Sequence, residues 1–163
     1  MGTAKVFISD IVDHRLDFAK SLGMIPVNPL RENLEEVVKS QTDGEGCDVF
    51  FECSGSKNSA MDMTEVTRVS GMICMVAVHK EPHEVNLKNL NFKEQHLIGT
   101  RVYTKEEFKA ACELAEHLEK ELEQVVSHIV PLEESTKVFD MISNPEDKTV
   151  KVVVDCQSVR NGR

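Results

Sequence analysis

Short apolar runs alternate with amphipathic segments along most of this chain, and that alternation constrains the fold more than any other feature. Strands are predicted at residues 5–11, at Ile25 to Asn28, at Cys47 to Cys53 and at Met72 to Val78, each rich in β-branched or apolar residues and bounded by turn formers. Between them lie helical spacings. Leu16, Phe18, Ala19 and Leu22 recur on one face from Asp13 to Leu22, with Gly23 as a stop. Glu32 to Gln41 follows Pro29, and Asn58 to Val69 closes at Gly71. Strands that read as near-continuous apolar runs, each followed by a helix, call for an α/β fold: a doubly wound, Rossmann-like parallel sheet with helices on both faces.

Beyond residue 79 the rhythm loosens. Glu84 to Leu90 alternates weakly, as an edge or intersubunit strand does, and Leu97 to Val102 reads as a further strand. From Lys105 to Leu122, Phe108, Ala111, Cys112, Ala115, Leu118 and Leu122 form one apolar stripe, widened by Leu114, which is expected to face a core. The opposite face carries Glu116, Glu119, Glu121 and Glu123 and reads as solvated. A strand at Val125 to Val130, a helix at Glu133 to Ser143 and a strand at Val150 to Val154 complete the pattern. The 163 residues are expected to form a single domain.

The first strand ends in Ser9-Asp10. In a nucleotide-binding βαβ unit a Gly-rich turn follows the first strand, and an acid about 20 residues later, at the tip of the second, holds the adenosine ribose hydroxyls. Counting back from Asp10 runs off the chain. If Asp10 is that acid, the phosphate-cradling glycines lie upstream of Met1, Met1 is an internal methionine, and the sheet is truncated at its N-terminal βα unit. Gly44-Glu45-Gly46 cannot replace the turn, because it precedes a strand where the fingerprint follows one.

Charge and composition narrow the function classes. A net charge of -9 argues against a nucleic-acid partner and an anionic membrane surface. No apolar stretch is long enough to span a bilayer and no signal-peptide layout is present, so the cytoplasm is the expected compartment. Cys47, Cys53, Cys74, Cys112 and Cys156 are scattered and read as small core residues in a reducing environment. His79 and His83 are four apart, but Pro82 between them argues against a shared helical face, and no metal site is expected.

Ser9-Asp10 with Arg15-Leu16, Gly46-Cys47-Asp48-Val49 running into Glu52-Cys53-Ser54-Gly55, Gly99-Thr100, and the closing Lys151-Val152-Val153-Val154 together resemble the cofactor-binding half of the zinc-dependent medium-chain alcohol dehydrogenases. The sorbitol, threonine and butanediol dehydrogenase branch is the most similar. The resemblance covers essentially the whole chain, with residues 103–163 matching the closing helices and strands. Two family features are absent: the Gly-rich turn, and the N-terminal domain that supplies the ligands of the active-site zinc.

The resemblance implies roles for particular residues. Asp10 would accept hydrogen bonds from both adenosine ribose hydroxyls and would repel a 2′-phosphate, favouring NAD over NADP; otherwise it is an acid in a strand-to-helix turn. Arg15 would lie beside the adenine, or is a helix-surface arginine. Cys53 and Ser54 would line the adenine side of the groove, Cys53 without the means to act as a nucleophile. Val76, Ala77 and Val78 match the strand end that meets the nicotinamide, with valine side chains expected in the core. Thr100 and Val102 match the backbone groups that hold the carboxamide, and Lys151 matches a basic residue near the pyrophosphate, with Lys148 as its rival. No catalytic residue and no zinc ligand falls within the chain.

The resemblance as a whole implies the NAD-binding portion of a zinc-dependent polyol or secondary-alcohol dehydrogenase that transfers hydride between an alcohol and NAD. Alone, it is expected to be inactive and to bind NAD weakly or not at all. The alternative is a non-catalytic interaction module, or a decayed gene fragment, that keeps the scaffold. With the central strand absent, the strand ending at Asp10 is expected to close against the one ending at Cys53, or a bare edge to pair with another chain, with residues 5 to 28 rearranged. A homodimer or larger assembly through Glu84 to Leu90 is expected on the resemblance.

Overall fold

A computed structural model describes residues 5–157, and the expectation for Met1 to Ala4 lies outside them. The described chain separates into two compact units: one runs to Ile11 and resumes from Gly23 to Val102, and the other holds Val12–Leu22 and the segment from Tyr103 onward.

The first unit contains strands β1 (Phe7–Ser9), β2 (Ile25–Val27), β3 (Cys47–Glu52), β4 (Thr67–Met75) and β5 (His96–Gly99), with helices α2 (Leu34–Ser40), α3 (Lys57–Val66) and α4 (Leu87–Phe92). Every strand pairing is parallel, in two sheets: β1 with β2, and β3-β4-β5. The α/β, Rossmann-like class therefore holds. The expected closure of β1 against β3 does not occur; among the described residues β1 pairs with β2 alone.

A buried cluster of Val27 from β2, Leu34 and Val38 from α2 and Val66 from α3 centres this unit, with Phe7, Val37, Cys47 and Phe50 packed against it. Each helix of this unit begins where a side chain can satisfy its free N–H groups. Asn33 Oδ1 accepts from Glu36 N at 3.2 Å, and Ser56 Oγ accepts from Ser59 N at 3.1 Å.

Helix α3 ends at Val66, three residues before the expected Val69, because Thr67 already pairs with Cys47 as strand. Its last carbonyls are claimed from outside. Lys93 Nζ donates to Thr64 O and Glu65 O at 2.8 Å each, and Gln95 Nε2 donates to Thr67 O at 2.7 Å. The β3–β4 register then jumps from Cys47↔Thr67 to Val49↔Met72, and the bulge carries Ser70 at a φ of 54°. Gly46 enters it at a φ of 103°, where a Cβ would come within 2.5 Å of Val66 O. Only glycine fits there.

Residues 84–86 are not strand, and Leu87–Phe92 forms α4, capped by Asn86 Oδ1 accepting from Asn89 N at 3.1 Å. The Asn-rich stretch at residues 86–91 favours a cap and turn over a strand, which corrects the edge-strand expectation.

The second unit holds α1 (Asp13–Ser21), α5 (Lys105–His117), α6 (Glu119–Val125), β6 (Val126–Pro131), α7 (Val138–Ser143) and β7 (Lys151–Asp155). Strands β6 and β7 pair in parallel. Leu16 and Ala19 of α1 and Val130 of β6 are buried. A 3-10 turn at Leu132–Lys137 leads into α7, where one continuous helix was expected. The Thr104 and Glu107 capping box starts α5, as the sequence pattern of a helix start requires. The apolar stripe of α5, however, is not core. No residue of α5 is buried, and Leu114 is 57% exposed.

Candidate functional site

In parallel sheets of this class the ligand-bearing surface lies beyond the carboxyl ends of the strands. Most of the sequence-derived candidates fall there. Asp10 follows β1, its backbone N donating to Val27 O at 3.3 Å. Cys53 and Ser54 follow β3, Val76, Ala77 and Val78 follow β4, and Thr100 follows β5.

The structure draws the last three groups together. Val76 N and Ala77 N both donate to Glu52 O at 2.9 Å, so the end of β4 folds across the end of β3. Thr100 donates to Met75 O from its backbone N at 3.0 Å and from Oγ1 at 3.1 Å, fixing the end of β5 beside it. Gly55 sits at a φ of 68°, and a Cβ there would meet Ala77 Cβ at 3.5 Å. Val102 lies farther along the same segment. Val76, Val78 and Val102 are exposed, Val78 at 66% and Val102 at 76%, so their side chains are not the core valines expected.

Arg15 and Lys151 belong to the second unit. Arg15 Nε donates to Thr149 O at 3.4 Å, and His14 Nε2 lies 3.1 Å from the same oxygen. Lys151 opens β7 two residues later with its side chain exposed.

The centre of the first unit's site is a residue the sequence reading named only as part of a motif. Glu52, the last residue of β3, is fully buried. Its Oε1 accepts from Ser54 N at 3.0 Å, Ser54 Oγ at 2.7 Å and Gly55 N at 3.0 Å, and its Oε2 lies 3.0 Å from His79 Nε2. Burial pushes this carboxyl upward, but the hydrogen bonds from Ser54, Ser59 and Gly55 outweigh it and hold the group below the ordinary carboxylate range. His83 extends the cluster, its Nε2 3.2 Å from Gly55 O and its ring edge-on to His79 at a centroid separation of 5.2 Å. The two histidines meet without a helix. An acid terminating the apolar run of β3 was the available signal for Glu52.

Chemically, this surface offers backbone donors and acceptors, short polar side chains and one buried charge. Burial, and then the adjacent Glu52 charge, raise the Cys53 thiol, which fits a wall residue and not a nucleophile. All five cysteines are free. The backbone groups beside β4 and β5 are of the kind a carboxamide pairs with, and the acid after β1 is of the kind a ribose pairs with. The pyrophosphate is less well served, since the sequence has no Gly-x-Gly-x-x-Gly stretch. Zinc does not fit: among the described residues no group of three His, Cys, Asp or Glu side chains is placed to hold a metal ion. No helix among them is long and apolar enough to cross a membrane.

Residues 1–117 match the family described as zinc-binding dehydrogenases. A 2-dehydro-3-deoxy-L-galactonate 5-dehydrogenase from Pseudoalteromonas atlantica is 34% identical over 95% of this chain and 45% of its own length. The alcohol dehydrogenase of Thermus sp. ATN1 superposes with a TM-score of 0.82 at 28% identity, over 94% of this chain and 45% of that one. A Sinorhizobium meliloti structure bound to NADP superposes at 0.76 with 23% identity, over 94% and 45% of the two chains. This chain thus spans about half the length of the relatives it matches. The relatives are dehydrogenases, and this chain belongs to the same family, the zinc-dependent medium-chain dehydrogenases, as their cofactor-binding part.

Proposed function

We propose that this chain is the NAD-binding portion of a zinc-dependent polyol or secondary-alcohol dehydrogenase. The family match together with the gathering of Ser54, Ala77 and Thr100 at the carboxyl ends of β3, β4 and β5 carries this reading. Hydride transfer is the chemistry of the bound nicotinamide. The chain's own residues position. Asp10 holds the adenosine ribose and disfavours a 2′-phosphate, Arg15 flanks the adenine, and Cys53 and Ser54 wall the groove. Val76 to Val78 border the nicotinamide, Thr100 and Val102 offer backbone groups to its carboxamide, and Lys151 balances phosphate charge. Residues 1–163 act as one cofactor-binding domain in the cytoplasm. A homodimer or larger assembly through Glu84 to Leu90 completes the reading, in support of which Leu87 is 69% exposed.

The chain alone binds NAD weakly and oxidises no alcohol, because it has no Gly-rich turn for the pyrophosphate. The test is a chimera in which this chain replaces the corresponding part of the Pseudoalteromonas dehydrogenase. Reduction of NAD by the chimera, with Asp10→Ala weakening NAD and admitting NADP, is the expected result. A chimera that folds but neither binds nor reduces NAD would favour the non-catalytic module. Micromolar NAD affinity of the isolated chain by calorimetry would refute the weak-binding claim.

A further inference from the structure

The strongest feature outside the cofactor-contacting roles is the joint between two loops at the carboxyl ends of β3 and β4. Glu52 is fully buried, and its carboxylate touches both sides of that joint: Gly55 N donates to Oε2 at 3.2 Å as well as to Oε1, while Oε2 also faces the second loop. Oε1 holds the Ser54–Gly55 turn through three hydrogen bonds. Oε2 faces His79 Nε2 at 3.0 Å, off the line of a hydrogen bond, and that buried nitrogen has no other partner. His83 adds a contact from the far end of the second loop to Gly55 O. A carboxylate and an imidazole this close in a poorly hydrated place attract strongly when the ring is charged and weakly when it is neutral. A neutral ring presenting a bare Nε2 lone pair to Oε2 would repel it.

We propose that Glu52 is a positioning residue and, with His79, forms a proton-dependent clamp between the Cys53–Gly55 turn and the Val76–His79 segment. The clamp is closed when His79 is protonated and relaxes when it is neutral. Because these two segments are the walls proposed for the adenine and nicotinamide sides of the groove, closing it sets their separation. That last step rests on the NAD-binding reading, whereas the clamp does not. The other ionisable groups at the joint are His83, the Cys53 thiol and Cys74, which acts on Cys53. Lys80 and Glu81 flank His79 in sequence and are exposed.

The test uses the whole chain, labelled with nitrogen-15. Over a pH series from about 5 to 8, the Ser54 and Gly55 amide resonances are expected to move together with the His79 ring signals. His79→Gln should abolish the movement and His83→Gln should leave it. Amides that do not respond to pH, or that respond equally in His79→Gln, would overturn the clamp. Glu52→Gln should also abolish the movement, and Glu52→Asp should restore part of it. The His79 variant decides the matter if the Glu52 variants do not fold. In the chimera, the NAD KM should rise about fivefold across the same pH range with kcat changing less, and should be flat in His79→Gln. A flat KM in both would sink the positioning role, and a chimera that binds no NAD would sink the cofactor reading while the amide result still decides the clamp.

Discussion

Two glycines with similar dihedrals separate backbone strain from lack of space. Gly44 and Gly46 both have positive φ, 86° and 103°, yet a Cβ at Gly44 would meet nothing within 4 Å, whereas at Gly46 it would collide with Val66 O. Gly46→Ala should therefore cost clearly more than Gly44→Ala, which carries only the dihedral cost of about 1 kcal/mol. Urea unfolding of the two variants checks this, and equal losses would mean the bulge yields. Glu52 gives a pH dependence at the same scale. Its carboxyl lies lower folded than unfolded, so the stability it contributes is present above the unfolded value and is lost as pH falls through the folded one. Glu52→Gln should flatten the acid limb of a stability–pH curve, and an unchanged limb would assign that limb to other groups.

Among the elements, α3 depends on a segment nearly thirty residues away. Its final turn is closed by Lys93 and Gln95, whose side-chain donors take carbonyls that the helix itself leaves open. Lys93→Met should cost about 2 kcal/mol, the scale of losing hydrogen bonds from a charged donor. Lys88→Met, at an exposed position of α4, should cost almost nothing. Helix α5 provides the opposite case. Leu114 looks like core in the sequence and is exposed in the structure, so Leu114→Lys should change stability by no more than about 0.5 kcal/mol. A loss of about 2 kcal/mol or more in thermal or urea unfolding would return the stripe to a core.

At the scale of the molecule, edges matter most. Among the described residues, strands β1 and β5 each pair on one side only, and β3 is bonded only to β4. Val49 and Phe51 of β3 are exposed, Phe51 at 64%, as are Leu97 and Ile98 of β5. Unpaired, apolar edges favour association with further chains. Light scattering at tens of micromolar should find a species larger than a monomer, and Leu87→Glu should reduce it; a monomeric wild-type chain would refute the assembly.

The sequence alone determined the class of fold and the placement of most of the candidate site. Apolar runs and the helix stop at Gly23 are local signals, so the strands at Phe7–Ser9, Ile25–Val27 and Cys47–Glu52 and the helix at Asp13–Ser21 lie where the sequence put them. Motif residues at strand ends needed only strand order to be placed. Tertiary structure alone decided the rest. Helix α3 stops early because Thr67 finds a strand partner in Cys47 twenty residues back. The α5 stripe is bare, and Glu52 is buried with His79 facing it. Each of these turns on what lies opposite a residue across the fold, and sequence periodicity records which face a side chain occupies but not what that face meets.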